Sequence, residues 1–389
     1  MYWFSRKRRK SHPIVGLVLP GGGARNAYQA GVLKAVAEIL PEDAKNPFPV
    51  ITGTSSGAIN ATLLASSALQ FREGVQRICG TWENFRIEKV FRADTRTAVR
   101  NSWRWVAAMF TGRMGETGPL SILDNTPLRQ MMESHLRFAR IQQCIDAGCL
   151  RALAVTASGY SSGCSVTFFQ GVEGLVPWQR ARRCGIPAEI GIDHLMASSA
   201  IPMVFPATCV GDEYFGDGSM RETAPLSPAL HLGADRLLIV GVRASDASTD
   251  CRPREAPAYP TPGQIAGYVF DTLFLDSLDA DLERLNRINH TLSETGESRV
   301  EYQDTALRPI EFLMLSPSHD LLEFVPPHLH RIPRPLRTLL RAVGAMTRGS
   351  LPLLSYLLFE GPYCRELLEL GYQDAMARRE AIEELLLGS

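Results

Sequence analysis

Two short apolar stretches near the start of the chain, Ile14–Leu19 and Val50–Thr52, each run directly into a cluster of small residues. The first is followed by Pro20-Gly21-Gly22-Gly23, the second by Gly53-Thr54-Ser55-Ser56-Gly57. Behind the first cluster Tyr28, Val32, Leu33, Val36, Ala37 and Leu40 recur mainly at spacings of three and four, which predicts a helix with one apolar face. Behind the second, a small-residue helix is expected from about Ala58 to Leu69. Short apolar runs without alternation are what strands covered on both faces of a parallel sheet require. Strand, glycine turn and helix, repeated, therefore predict an α/β protein.

The pattern continues down the chain. Residues 70–148 read as mostly helical, with a tryptophan-rich insert at Trp103 and Trp105. Leu150–Ser158 and Cys164–Phe169 are strand-like runs around a Gly/Ser turn, the signature of a hairpin. Arg236–Val242 predicts another buried strand and Pro309–Leu315 a last one. Gly263–Leu292 reads as one long acidic helix, and the chain from about Glu360 is again helical. The expected organisation is a basic tail over 1–12, an α/β domain over 13–243 and a mainly helical extension over 244–389.

Composition narrows this picture only slightly. With 389 residues, 45% of them hydrophobic and 21% charged, the chain buries a large core and is not disordered. Its 41 basic and 41 acidic residues cancel, so no overall field recruits nucleic acid. The eight cysteines are scattered without a Cys-x-x-Cys pair, so neither a disulfide framework nor a zinc knuckle is expected, and a reducing cytoplasm fits. The longest uncharged run, Asn46–Phe71, is too polar to span a bilayer.

Chemistry concentrates in the small-residue clusters. Gly-x-Ser-x-Gly occurs twice, at 53–57 and at 159–163. A serine in this pattern becomes an exposed nucleophile only on a sharp strand-to-helix turn. Ser55 has that context; Ser161 lies between two strands, where Gly and Ser simply turn a hairpin. Gly21, Gly22 and Gly23 sit between a strand and a helix, so their bare N–H groups can face a developing negative charge. A nucleotide phosphate is the competing ligand, but Asn26 stands where the dinucleotide pattern wants glycine and no Gly-Lys-Ser/Thr follows. Asp217, in Phe215-Gly216-Asp217-Gly218-Ser219, is the candidate base. His231 or His319 could nominally complete a Ser–Asp–His order.

Taken together, residues 21–33, 53–58 and 217–219, in that order, resemble the patatin-like phospholipases. Ala197-Ser198-Ser199-Ala200-Ile201-Pro202, Pro225-Leu226 and Leu232-Gly233-Ala234 add to the likeness, which spans roughly 13–243. The resemblance implies a three-layer α/β/α fold with a mainly parallel sheet. It also implies a Ser55–Asp217 dyad without histidine, and an oxyanion loop of Gly21, Gly22, Gly23 and Arg25. Gly53 and Gly57 would form the elbow. The implied activity is hydrolysis of fatty-acyl esters of phospholipids or other lipids, with no cofactor and no metal. A soluble ester or thioester hydrolase, an acyltransferase, or a membrane-recruited regulator with a vestigial site would carry the same motifs. Two departures stand out. Asn26 replaces a glycine, where asparagine's tolerance of left-handed angles is expected to preserve the turn, and Ser219 replaces the family's usual Gly or Ala after Asp-Gly, a small change that leaves Asp217 in place.

A membrane-facing element is also expected. Arg334, Arg337, Arg341 and Arg348 fall on one face of a helix, and no acid occurs between Glu323 and Glu360. Such a segment can rest peripherally on an anionic membrane.

Overall fold

The computed structural model describes residues 13–92, 121–244, 259–296, 300–302 and 305–388. The basic tail over 1–12 and the insert holding Trp103 and Trp105 lie outside these. The strands are β1 (Val15–Leu19), β2 (Val50–Thr54), β3 (Ala152–Gly159), β4 (Ser165–Gly171), β5 (Trp178–Arg180) and β6 (Arg183–Pro187), then β7 (Thr208–Val210), β8 (Glu213–Asp217) and β9 (Arg236–Val240). A small hairpin, β10 (Val300–Tyr302) with β11 (Thr305–Leu307), stands apart from the main sheet, which β12 (Glu311–Leu315) completes.

The order across the sheet is β12-β9-β1-β2-β3-β4-β6-β5, with β8 also paired to β3 and β7 to β8. The five strands from β12 to β3 are mutually parallel, and β3 with β4 is the antiparallel hairpin read from the sequence. Strand β1 shows why its run is apolar throughout. Leu17 and Leu19 point into one core and Val18 into another, so both faces are covered.

Helices supply those covers. On one face lie α1 (Ala27–Ile39), α2 (Ser56–Ala65) and α3 (Phe71–Glu83), with α4 (Thr126–His135), α5 (Ala139–Asp146) and α6 (Ile192–Ser198) beyond them. The sequence predicts one helix over 263–292. The chain instead forms α7 (Pro262–Asp271) and α8 (Ser277–Thr295), separated by a π-helical turn, Thr272–Asp276. The apolar spacing runs unbroken through that turn, so periodicity could not reveal it. Leu278, Leu282 and Leu285 of α8 cover the second face of the sheet, which gives three layers, α/β/α.

The last third of the chain is woven into this frame. After β12 come α9 (Arg334–Ala342), α10 (Leu351–Leu357), α11 (Gly361–Ala377) and α12 (Arg379–Leu387). Helix α9 ends at Ala342, and Gly344 at φ +69 turns the chain away, so Arg348 belongs to a separate 3-10 turn rather than to the predicted arginine stripe. Helix α11 crosses α1 backbone to backbone. A Cβ on Gly31 would strike the Leu368 carbonyl, and one on Gly371 would strike the Tyr28 carbonyl. Only glycine permits that approach. No described helix is long and apolar enough to cross a membrane.

Candidate functional site

Strand β2 ends at Thr54 and α2 begins at Ser56, which leaves Ser55 alone to reverse the chain. It does so at φ 55 and ψ −130, a conformation L-residues avoid and one held here by its surroundings. Its N–H donates to Ser198 Oγ at 2.8 Å, and Ser198 Oγ in turn donates to the Thr156 carbonyl at 2.7 Å. Gly57 lets the helix start this close to the sheet, because a Cβ there would run into the carbonyl oxygens of Leu19 and Pro20. Ser55 is 2% exposed.

Its hydroxyl meets a carboxylate. Ser55 Oγ donates to Asp217 Oδ2 at 2.6 Å. Asp217 closes β8 in register with Ala157 of β3, and its N–H donates to the Ala200 carbonyl at 2.8 Å. Its second oxygen, Oδ1, accepts the Ser219 N–H at 2.9 Å. The Ser219 hydroxyl adds a further hydrogen bond, so the serine that departs from the usual small residue supports the carboxylate. Burial pushes the Asp217 carboxyl up to about 6, and the bonds from Ser55 and Ser219 pull against that rise.

The glycine triplet borders the same site. The loop carbonyls of Leu19 and Pro20 lie against Gly57, and a Cβ on Gly21 would come within 2.5 Å of Ser219 Oγ. Gly22 and Gly23 are buried, yet their N–H groups donate to no acceptor among the described residues. Buried N–H groups are nearly always satisfied, which sets these two apart. Asn26 is not left-handed, contrary to the expectation from sequence. It sits at φ −71, and the turn survives because its Nδ2 donates to the Pro20 carbonyl at 2.9 Å. Gln29 donates to the same carbonyl at 3.0 Å.

Arg25 points away from the serine. Its Nε donates to Ser355 Oγ at 2.8 Å, its Nη2 pairs with Asp271 at 3.1 Å, and its guanidinium lies 4.0 Å above the Tyr356 ring. Its N–H is already given to the Gly22 carbonyl. The Tyr356 hydroxyl donates to the same Asp271 oxygen at 2.8 Å, and the Tyr356 ring stacks on Phe274, which abuts Gly21. Residues more than two hundred positions downstream thus seat the glycine loop.

The two candidate histidines stay elsewhere. His231 stacks on Trp178 at 4.7 Å, and burial beside Arg180 and Arg183 drives its imidazole down to about 4. Neither it nor His319 bonds to Ser55 or Asp217. Ser161 is exposed on the β3–β4 turn. One neighbour escaped the sequence reading altogether. Glu222, 7% exposed, accepts the Thr54 hydroxyl at 2.6 Å, one residue from the nucleophile position. No spacing rule marks it, since it is a lone acid beyond a turn.

The fold and site define a three-layer α/β protein with a serine at a strand-to-helix elbow, bonded to a buried aspartate beside a glycine loop. The chain belongs to the patatin-like phospholipase family, whose model matches residues 17–230. Over 61 residues it is 49% identical to lysophospholipase nte1 of Aspergillus terreus (strain NIH 2624 / FGSC A1156). That match covers 16% of this chain and 4% of the relative, so the chain spans a small fraction of that protein's length. Among solved structures, VipD from Legionella pneumophila is similar at TM-score 0.39 and 10% identity, over 95% of this chain and 67% of that one.

Proposed function

We propose that this protein is a serine lipid acyl hydrolase that cleaves fatty-acyl esters of phospholipids or lysophospholipids. The 2.6 Å bond between Ser55 Oγ and Asp217 Oδ2 in a dry, glycine-lined elbow carries this reading. Family membership and the partial likeness to a lysophospholipase support the lipid ester as substrate.

The chemistry follows from the groups present. Asp217 takes the Ser55 proton as Oγ attacks the ester carbonyl, forming the new C–O bond. The carbonyl electrons move onto oxygen, where the open N–H groups of Gly22 and Gly23 receive them, with Gly21 shaping the loop. Such a donor is worth about 2.7–4 kcal/mol to the transition state. Asp217 then returns the proton to the departing alcohol, and acyl-Ser55 remains. Water gives a proton to Asp217 as its oxygen attacks the acyl carbon; the bond to Oγ then breaks, Oγ takes that proton back, and the fatty acid leaves. A carboxyl near 6 is a better base than one at 3.8 and is still largely ionised at neutral pH. Arg25 acts by seating the loop. In this reading residues 13–243 carry the reaction, and 244–389 hold its glycine loop in place.

The test is fatty-acid release from mixed phospholipid vesicles by wild type, Ser55→Ala and Asp217→Asn, with folding checked by circular dichroism. Loss of release in both folded variants is expected. Release retained by Ser55→Ala would overturn the dyad. Wild type inert on vesicles but active on a soluble ester would reassign the substrate, and a wild type that a fluorophosphonate leaves unlabelled would indicate a vestigial site.

Peripheral contact with an anionic membrane is part of the proposal. Arg334 and Arg341 of α9 are exposed, while Leu336 and Leu340 face the core. Arg337 is half-buried and donates to the His330 and Ile332 carbonyls, so it braces the helix. Beside the end of α9, where Gly263 N–H donates to the Val343 carbonyl at 2.9 Å, α7 presents Ile265, Tyr268 and Val269 to solvent. Apolar residues flanked by cations suit a headgroup layer, at roughly 1 kcal/mol per cation. Cosedimentation with anionic vesicles should weaken about thirtyfold in Arg334→Ala/Arg341→Ala, a fold-change that neutral vesicles would not show.

A further inference from the structure

Glu222 is a second buried carboxyl within the same site, and the dyad chemistry leaves it without a role. It follows the 3-10 turn Gly218–Met220 that leads away from Asp217. Its Oε2 accepts the Thr54 hydroxyl at 2.6 Å, and the Thr156 hydroxyl is its other hydrogen-bond partner. Thr54 and Thr156 face each other in register across β2 and β3, and Thr156 meets Thr167 of β4 hydroxyl to hydroxyl at 3.1 Å. A row of threonines thus forms the bed on which this carboxyl lies.

The charges that face it do not neutralise it. Asp217 approaches from β8, Asp281 from α8 and Arg183 from β6. Asp281 is committed to the Leu226 N–H at 3.0 Å and to Arg284 at 2.9 Å. Among the described residues no cation forms an ion pair with Glu222. A buried carboxylate with only hydroxyl partners is costly, so the neutral acid is favoured. In keeping with this, burial pushes the group up to about 7.

We propose that Glu222 is a positioning residue for the reaction proposed above, on which this inference rests: as a neutral acid it fixes Thr54, and with it the Ser55 elbow, and leaves Asp217 as the single charge beneath the nucleophile. Ionisation of Glu222 places a second negative charge in the same dry volume. That charge opposes the tetrahedral oxyanion and slows the return of the proton from Asp217 to the departing alcohol, so turnover falls on the alkaline side. Two neighbouring carboxyls with different proton affinities then divide the work, one ionised as base and the other protonated as support.

The experiment is the pH profile of kcat/KM on a soluble ester for wild type, Glu222→Gln and Thr54→Val. Wild type should give a bell whose alkaline limb falls up to about tenfold per pH unit. Glu222→Gln keeps an acceptor for Thr54 but has no proton to lose, so its alkaline limb should vanish while the acid limb stays. Thr54→Val removes a bond that favours the charged form, so its limb should move to higher pH; a purely structural role would lower the profile without moving it. An unchanged alkaline limb in Glu222→Gln overturns the proposal. Infrared difference spectra of Ser55→Ala against Ser55→Ala/Glu222→Gln read the same proton without turnover. A neutral carboxylic-acid band at pH 6 assigned to Glu222 is expected, and its absence is equally fatal. Activity surviving in Ser55→Ala would sink the dyad while leaving that infrared result intact.

Discussion

The chain writes the same five-residue pattern twice and folds it into opposite things. Gly53–Gly57 joins a buried strand to a helix, and its central serine is enclosed, left-handed and bonded to a carboxylate. Gly159–Gly163 joins two antiparallel strands, and Ser161 stands in solvent at the tip. In the second copy the N–H of Ser162 is taken by the Glu213 side chain at 2.6 Å and that of Tyr160 by the Tyr214 carbonyl, both on β8. The glycines also serve differently. Gly57 is required by crowding against two carbonyls, whereas Gly163 is required by its φ of +63, with only the Arg221 guanidinium near it, 4.0 Å from where a Cβ would stand. A motif is therefore a statement about the elements at its two ends.

The largest expected contrast is in activity. Ser55→Ala should cost at least about a thousandfold in esterase rate, while Ser161→Ala should change it less than twofold. Equal effects in a rate assay would erase the distinction. Next comes stability. Gly57→Ala forces two backbone segments apart and should cost more than about 3 kcal/mol by denaturant unfolding, whereas Gly163→Ala should cost only about 1 kcal/mol, the strain of a left-handed alanine.

The buried carboxyls separate the two turns by pH as well. Asp217 moves from 3.8 to about 6 and Glu222 from 4.5 to about 7 on folding. Between about pH 4 and 7 the folded chain binds more protons than the unfolded chain, so stability falls as pH rises through that window, on the order of 2–3 kcal/mol per group. Glu222→Gln should remove its share of that slope in a series of melts, and Ser161→Ala should leave it untouched. The smallest effect is conformational. Ser55→Gly relieves a backbone angle and should gain about 1 kcal/mol in the denaturation midpoint while abolishing activity. A loss of stability there would mean that the Ser55–Asp217 bond outweighs the strain.

What could be read from the sequence was local. The central strands β1, β2, β3 and β9 announce themselves because burial on both faces demands apolar runs, and the elbow because its strand and helix flank it. The edge strand β5 and its neighbour β6 are polar and exposed in part, and β6 ends in Pro187, so nothing in their pattern distinguishes them from loop. Asp217 was legible through its glycines. Glu222 and the tie of Arg25 to Asp271, Ser355 and Tyr356 were not, because contacts across 168 to 331 residues leave no periodicity. Asn26 is subtler, because residue type alone does not say which of its groups matters. Its amide, not its backbone freedom, holds the turn.

The glycine crossing of α1 and α11 also sets a timetable for synthesis. Helix α1 begins directly behind the glycine loop, and its partner is made only when translation has passed residue 361. A nascent chain still on the ribosome therefore holds its serine and aspartate but lacks the brace that fixes α1, and with it the cradle. Chains arrested before Gly361 are expected to react with a fluorophosphonate more slowly than released ones. Reactivity of Ser55 is then among the last properties the chain acquires, expected only once α11 has docked on α1.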